Sequence, residues 1–232
     1  MTHDYPIVPD ELDLLEAMVP LAGARIVEAG CGAARMARAL LARHPDAQLT
    51  GLEVDDRQHA LNVAEPAPRL HFVRAGAQAI PFPDGSFDGA MMLKSLHHVP
   101  MPLMDQALAE VARVLKPGGW FYVSEPVFGG DFNELIRLFN DEQVVRAAAQ
   151  QAVDRALAGG GWTQAAERRF GLPVQFRDFA EFERRQMRPS FADHRIDDAK
   201  LAQVAAAYAP HQRADGARFV AQMHVRLLRR AG

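Results

Sequence analysis

A glycine turn joins a short apolar strand to a helix in the stretch Ile26-Val27-Glu28-Ala29-Gly30-Cys31-Gly32-Ala33-Ala34. Glycine reaches backbone conformations with positive φ and lets a ligand approach the main chain closely. The amino end of the following helix offers free N–H groups and a positive potential to an anionic group. This order of strand, turn and helix therefore predicts a nucleotide-cofactor site in an α/β fold.

Around this turn, short apolar runs alternate with helical stretches over the first 125 residues. The apolar spacing predicts helices at 33–43, 55–64 and 103–115, the last one ended by Lys116-Pro117-Gly118-Gly119. The predicted strands cover residues 25–29, 48–54, 70–74, 87–93 and 120–125. Strands separated by helices imply right-handed crossovers, a mostly parallel sheet and helices on both of its faces. Ligands of such sheets lie beyond the carboxyl ends of the strands.

The later part of the chain follows a different pattern. Residues 131–158 predict one long helix or two shorter ones, 197–208 another helix, and 219–228 a final strand. The segment 162–191 is rich in Arg and Phe and gives no clear pattern of secondary structure. Its Phe170–Phe191 aromatic cluster fits either a substrate pocket or the buried side of a helix at 179–187, and the helix is the preferred interpretation. We expect a single domain over 1–232, with a cofactor-binding core at about 23–126, a cap and substrate region at 127–195, and a last helix and strand at 196–232.

Composition restricts the class of protein. The chain has 232 residues, of which 49% are hydrophobic and 24% charged, with one cysteine and a formal net charge of −3. It lacks an apolar run of the ~20 residues that a membrane span requires, and one cysteine forms neither an internal disulfide nor a four-cysteine zinc site. Together with an acidic amino terminus unlike a signal peptide, this predicts a cytoplasmic protein without membrane insertion.

The type of cofactor follows from the spacing in the glycine turn. A dinucleotide fingerprint requires a small residue at position 35, for close packing of helix on strand, and this chain has Arg35 there. Instead an acid, two glycines and a small residue alternate as Glu28, Gly30, Gly32 and Ala34. A nicotinamide dehydrogenase is therefore disfavoured.

Four segments together resemble class I S-adenosylmethionine-dependent methyltransferases of the small-molecule, UbiE-like branch. They are the glycine turn, the acid Glu53 located 23 residues after Gly30, the stretch 75–88 (AGAQAIPFPDGSFD) and the stretch 110–125 (EVARVLKPGGWFYVSE). The resemblance spans about residues 23–126. It implies a Rossmann-like, doubly wound, mostly parallel seven-stranded sheet with a helical cap after the fifth strand. It also implies S-adenosyl-L-methionine as cofactor and S-adenosyl-L-homocysteine as product.

The resemblance assigns roles to individual residues. In this family the acid at the position of Glu53 binds both ribose hydroxyls, and an Asp that receives the adenine amino group often stands at the position of Gly76. This chain lacks that Asp, so the Ala77 N–H and the Gln78 amide are the candidate adenine contacts. The implied cofactor-binding residues are Glu28, Gly30, Cys31, Gly32, Glu53, Val54, Gly76, Ala77, Gln78 and Leu93.

The loop after the fourth strand, Leu93-Lys94-Ser95-Leu96-His97-His98-Val99-Pro100, is where the family places its substrate chemistry. It lacks the Asn/Asp-Pro-Pro-Tyr signature of enzymes that methylate amino groups of adenine or glutamine. Imidazole titrates near neutral pH, and His97 is the preferred candidate if the reaction uses a general base, although a structural role in the loop, as in many small-molecule members of this family, is the favoured interpretation. The other histidines show no ligand spacing, and we predict no metal.

These observations predict methyl transfer to an O, N or C atom of a small molecule. Two alternatives stay open: a catalytically silent cofactor-binding module, and a methyltransferase acting on RNA or protein. The second alternative has some support from charge, since residues 161–232 carry 13 Lys and Arg against 8 Asp and Glu. These arginines are interleaved with acids and apolar residues, so solvated faces of ordinary elements are the preferred interpretation and no nucleic-acid partner is expected. The sequence leaves the methyl acceptor and the oligomeric state undetermined.

Overall fold

The computed structural model describes residues 5–188 and 194–232. The helices are α1 (Glu11–Met18), α2 (Arg35–Arg43), α3 (Asp56–Ala64), α4 (Met104–Val114), α5 (Gly130–Ile136), α6 (Gln143–Ala158), α7 (Phe179–Phe182) and α8 (Asp198–Tyr208). The strands are β1 (Arg25–Ala29), β2 (Gln48–Glu53), β3 (Leu70–Arg74), β4 (Phe87–Leu93), β5 (Leu115–Pro126), β6 (Trp162–Phe176), β7 (Gln212–Arg213) and β8 (Gly216–Arg230).

One sheet contains all of these strands. Its order is β3-β2-β1-β4-β5-β8-β6, and the two-residue strand β7 pairs with β8. The first five strands run parallel to one another, whereas β7 and β8 pair in antiparallel orientation. Strand order reverses between β1 and β4, and this is where open α/β sheets bind their ligands. The predicted Rossmann-like α/β class is confirmed.

Aspartate side chains cap the amino ends of α3 and α8. Asp55 accepts a hydrogen bond from the Gln58 N–H at 2.7 Å at the start of α3, and Asp197 accepts one from Lys200 N–H at 2.7 Å at the start of α8. Such caps satisfy N–H groups that the first helical turn leaves without partners. Asp55 is thus a helix start, as predicted.

The structure departs from the sequence prediction in two segments. The helix α4 ends at Val114, directly before the Lys116–Gly119 stretch, but β5 begins at Leu115, five residues before the predicted start, and its register against β4 shifts between Phe87 and Gly89. Residues 162–176 form the long strand β6, so the predicted helical cap over 127–195 is helical only in part: α5 and α6 are separate helices, and α7 continues as a π-helical turn over Glu183–Met187.

The chain divides into two compact units. The first, here called the core unit, contains residues 10–125, 145–168 and 224–232. Its apolar core lies between the sheet, α4 and α6, with fully buried Val111, Phe121 and Ala152 as examples. Trp120 of β5 is also buried, with 2% of its surface exposed.

The second unit contains residues 126–144 and 169–223, together with residues that precede Asp10. Its interior is aromatic: Phe176, Phe182, Tyr208 and Phe219 are buried and their ring centroids lie 5.1–6.1 Å from one another in successive pairs. Phe176 and Phe182 therefore pack into an apolar core, which agrees with the preferred interpretation of the aromatic cluster as buried packing and not a substrate pocket. Phe191 lies outside the described residues. The treatment of 1–232 as one domain stays a prediction.

Among the described residues, every helix is too short or too polar to cross a bilayer.

Candidate active site

The glycine turn, residues 30–34, connects β1 to α2 at the carboxyl end of the sheet. Gly30, Gly32 and Ala34 have φ of +74°, +51° and +53°, so the chain needs three left-handed residues within five. The space at Gly30 also requires glycine, because a Cβ there would lie 2.7 Å from the Cβ of Ser95. Ser95 in turn donates from its hydroxyl to the Ala29 carbonyl at 2.8 Å, which joins the loop after β4 to the end of β1.

Glu53, the last residue of β2, fixes the turn from the neighbouring strand. Its Oε2 accepts from the Gly32 N–H at 2.9 Å, and its Oε1 accepts from the Asp55 N–H at 2.9 Å. A carboxylate has about four acceptor positions, so one on each oxygen is left for further donors. Val54 follows with 63% of its surface exposed, an apolar face beside this carboxylate.

Cys31 is a packing residue in the turn. A Cβ on Gly51 of β2 would lie only 2.8 Å from the Cys31 Sγ. Position 51, in the middle of β2, must therefore be glycine. Burial raises the pKa of the Cys31 thiol well above its usual range, and the nearby carboxylates of Glu28 and Glu53 raise it further. This excludes the thiolate that a nucleophilic cysteine requires.

A buried polar cluster lies at the carboxyl ends of β1, β4 and β5. Glu28 and Tyr122 align with Met91 across the three strands, and Lys94, at the end of β4, donates to Glu11 Oε2 of α1 at 2.9 Å. Three atoms in this cluster, Glu11 Oε1, Glu28 Oε2 and the Tyr122 hydroxyl, are buried without a hydrogen-bond partner among the described residues.

Burial raises the pKa of Glu28 to about 8, against the lowering effect of Lys94, while Glu11 adds to the rise. The backbone N–H of Ala37, in the first turn of α2, also acts to lower this pKa. Burial, followed by the charge of Glu11, likewise raises the pKa of Tyr122 above its ordinary range. The cluster therefore holds Glu28 largely protonated at neutral pH.

His97 lies in a 3₁₀ turn after β4 and is 5% exposed. Its Nδ1 is 2.5 Å from Glu125 Oε2, and Glu125 Oε1 accepts from the N–H groups of Ser95 and Leu96 at 3.1 and 2.8 Å. Glu125 therefore holds both the backbone of the loop and the imidazole ring. Sequence analysis placed Glu125 in a family segment without giving it this role.

Beyond β3, Gly76 and Gln78 form the remaining part of the predicted site. A Cβ on Gly76 would lie 2.4–2.8 Å from the side-chain amide of Gln78, so this amide occupies the space that an acid at position 76 would use. Ala77 is 5% exposed and packs into the core of the core unit.

The structure thus places all the predicted site residues at the carboxyl ends of β1, β2, β3 and β4, which are neighbours in the sheet. It joins Glu53 to Gly32 directly and brings Gly30 against the loop of His97. Arg35, the residue that the dinucleotide fingerprint would require to be small, is exposed at the start of α2.

Comparison with known proteins shows what the part of the chain that carries this site is similar to. Residues 27–123 match the family described as "Methyltransferase domain". This part of the chain, somewhat less than half of its length, is similar to that family, and the resemblance found in the four sequence segments is confirmed.

Two relatives and one solved structure show how far the similarity extends. The chain is 36% identical over 115 residues to the O-methyltransferase cnsE of Penicillium expansum, covering 47% of this chain and 40% of that protein. It is 33% identical over 151 residues to a fatty-acid O-methyltransferase of Mycolicibacterium smegmatis, covering 62% and 52%. The fold is similar to a putative methyltransferase from Bacillus halodurans, with a TM-score of 0.67 at 15% identity over 96% of this chain and 99% of that one. The chain therefore spans about half the length of the curated relatives it matches.

Proposed function

We propose that this protein is an S-adenosylmethionine-dependent methyltransferase that transfers a methyl group to an O, N or C atom of a small molecule. The observation that carries the proposal is the Glu53 carboxylate at the end of β2, held by two backbone N–H groups, with acceptor positions left over beside an exposed apolar Val54. Two neighbouring hydroxyls of a ribose are suitable donors to such a carboxylate. The names of the relatives support methyl transfer to a small molecule as the reaction.

The residues of the site fit this cofactor. Glu53 would take the ribose hydroxyls, Val54 would cover one face of the adenine, and Ala77 and Gln78 would contact its edge. The glycine turn and Leu93 would border the remainder of the nucleoside and its amino-acid part. When bound, the cofactor supplies an electrophilic methyl group on a sulfonium, and the chain contributes mainly by aligning the reacting groups, an effect that reaches ~7–11 kcal/mol in well-oriented systems.

The pair of His97 and Glu125 supplies a base. A Glu125 carboxylate that accepts from Nδ1–H fixes the imidazole tautomer in which Nε2 carries the lone pair. His97 then takes a proton from the methyl acceptor as the new bond forms, and Glu125 stabilises the resulting imidazolium. This arrangement suits an acceptor group that loses a proton, such as a hydroxyl.

Calorimetry with S-adenosylhomocysteine tests the cofactor assignment. We expect binding by the wild type, and at least several-fold weaker binding by Glu53→Ala, with Glu65→Ala, a change at a side chain that is 80% exposed, as control. The 2′-deoxy analogue separates ribose recognition from support of the turn, because Glu53→Ala should weaken it much less than it weakens the parent compound. Absence of any binding by the wild type would refute the proposal.

Incubation with a radiolabelled methyl donor and a cell extract tests catalysis and the class of acceptor. We expect label in the dialysable fraction, and a His97→Asn variant should bind S-adenosylhomocysteine normally but transfer methyl groups more slowly by about 10²–10⁴. Label in RNA or protein would support the alternative acceptors. Cofactor binding without label in any fraction would indicate a silent cofactor-binding module.

The absence of a metal, the cytoplasmic location and the lack of a nucleic-acid partner stay predictions.

A further inference from the structure

Helix α3 buries a polar residue and exposes its apolar ones. Asn62 is 3% exposed and is the single buried residue of this helix, whereas its neighbours Leu61 and Val63 are 58% and 54% exposed. Burying an amide without hydrogen bonds costs free energy, so a buried asparagine in this position must be held by specific partners. Neither the helix itself nor the packing of an apolar core accounts for this orientation.

Asn62 bonds to the glycine turn. Its Nδ2 donates to the Gly32 carbonyl at 2.7 Å and lies 3.8 Å from Cys31 Sγ. Its Oδ1 accepts from Gln58 Nε2 at 2.9 Å, one helical turn earlier. Because Gln58 occupies the amide oxygen, the nitrogen of Asn62 is the atom that faces the turn.

Gly32 is therefore held at both of its polar atoms. Its N–H donates to Glu53 Oε2 at the end of β2, and its carbonyl accepts from Asn62 of α3. The peptide group is planar and trans, so a carbonyl directed at α3 sends the N–H of Ala33 in the opposite direction. Ala33 is exposed, and its N–H is one of the donors near the amino end of α2.

We propose that Asn62 is a positioning residue of the site for the methyl-donating cofactor. By holding the Gly32 carbonyl, Asn62 orients the Gly32–Ala33 peptide so that the Ala33 N–H donates a hydrogen bond to an acceptor atom of the bound cofactor. Gly32, with φ of +51°, has no Cβ to restrict either φ or ψ, and ψ sets the orientation of its carbonyl, so an unrestrained Gly32 would sample other orientations of the following peptide. Asn62 restricts it to one. This inference rests on the proposed function.

Two substitutions at the residue test the role, with a neighbouring control. Asn62→Leu keeps a similar size and removes the donor, and we expect it to weaken S-adenosylhomocysteine binding about ten-fold, the effect of losing one hydrogen bond. Val63→Ala, an exposed change on the same helix, should stay within about two-fold of wild type. Gln58→Ala leaves Asn62 in place but frees its amide to rotate, and should weaken binding by a smaller factor.

Asn62→Asp gives a signature in pH. At neutral pH the carboxylate faces the Gly32 carbonyl and binding should be weak, whereas at acid pH the protonated carboxyl again donates and binding should recover. The titratable groups around this position, Cys31 of the turn, Glu53 of β2 and Asp55 at the start of α3, are the same in the wild type. The ratio of the variant's affinity to the wild-type affinity at each pH therefore isolates the new carboxyl.

The outcomes separate this inference from the proposed function. If the wild type fails to bind S-adenosylhomocysteine, the proposed function is wrong. If the wild type binds and Asn62→Leu, folded by its unfolding transition, binds equally well, the positioning role is wrong. If Asn62→Leu does not fold, the other two variants decide. The inference is overturned if Gln58→Ala binds S-adenosylhomocysteine as tightly as the wild type and the affinity of Asn62→Asp relative to the wild type does not change with pH.

Discussion

Replacing Glu28 by glutamine should make the protein more stable at high pH. The pKa of Glu28 rises from its usual 4.5 to about 8 because the side chain is buried. The folded state therefore keeps a proton that the unfolded chain loses near pH 4.5. Stability that is present below the unfolded pKa is lost as the pH rises toward the folded pKa, and an amide has no such proton to lose.

The size of the effect follows from the pKa difference. Each pH unit between the two pKa values costs about 1.4 kcal/mol of unfolding free energy. The unfolding free energy of the wild type, compared with that of Glu28→Gln, should therefore be lower by about 2 kcal/mol at pH 6 and by about 4 kcal/mol at pH 8 than it is under acid conditions. The other titratable groups of the cluster, Glu11, Lys94 and Tyr122, are present in both proteins, so their contributions largely cancel in the comparison.

Urea unfolding at a series of pH values measures this difference. The two tryptophans, Trp120 and Trp162, are both buried and report unfolding by fluorescence. Glu65→Gln is the control, since the same chemical change at an exposed position should leave the pH dependence of the midpoint unaltered. Parallel midpoint curves for the wild type and Glu28→Gln from pH 5 to 8.5 would show that Glu28 is charged in the folded protein, and the reasoning from burial would be refuted.

Three further substitutions test the site and the two units. Gly30→Ala would place a Cβ 2.7 Å from that of Ser95 at a φ of +74°, so we expect a loss of about 1–3 kcal/mol and weaker S-adenosylhomocysteine binding; a wild-type thermal midpoint would contradict this. Phe182→Ala removes a fully buried ring from the aromatic interior and should cost about 3–5 kcal/mol by urea titration, and a cost under about 1 kcal/mol would contradict its core role. Arg113→Ala removes a donor to the Ile80 carbonyl at 2.8 Å, so amide hydrogen exchange in residues 80–85 should accelerate; unchanged exchange there would show that other contacts hold the loop.

Local sequence patterns were sufficient for the first half of the fold. The strands at 25–29 and 70–74 and the strand at 87–93 have the predicted bounds, and α2, α3 and α4 differ from prediction by one or two residues at their ends. All of these elements except α3 bury apolar side chains, so their apolar spacing is visible in the sequence itself, whereas α3 buries only Asn62. The turn that follows β1 was equally visible, because left-handed backbone requires glycine and glycine marks it.

Strand β6 shows where such patterns fail. Most of its fifteen residues are exposed or half-buried, and polar and apolar residues are mixed along it, so neither a continuous apolar run nor a regular alternation marks the segment. Its place in the sheet is at the edge, next to β8, a strand that begins 40 residues after β6 ends. A strand at an edge owes its existence to backbone hydrogen bonds with that neighbour, which the composition of the segment does not encode.

By itself, the amino-acid sequence determined the succession of the first five strands along the chain, the glycine turn and the resemblance to methyltransferases. Only the tertiary structure decided which polar side chains hold that site: Asn62 on Gly32, Glu125 on His97, and Lys94 on Glu11. The residues of these three pairs are 30, 28 and 83 positions apart. A hydrogen bond between distant positions leaves no periodicity in either segment, because it depends on how the strands and helices bring the two side chains together.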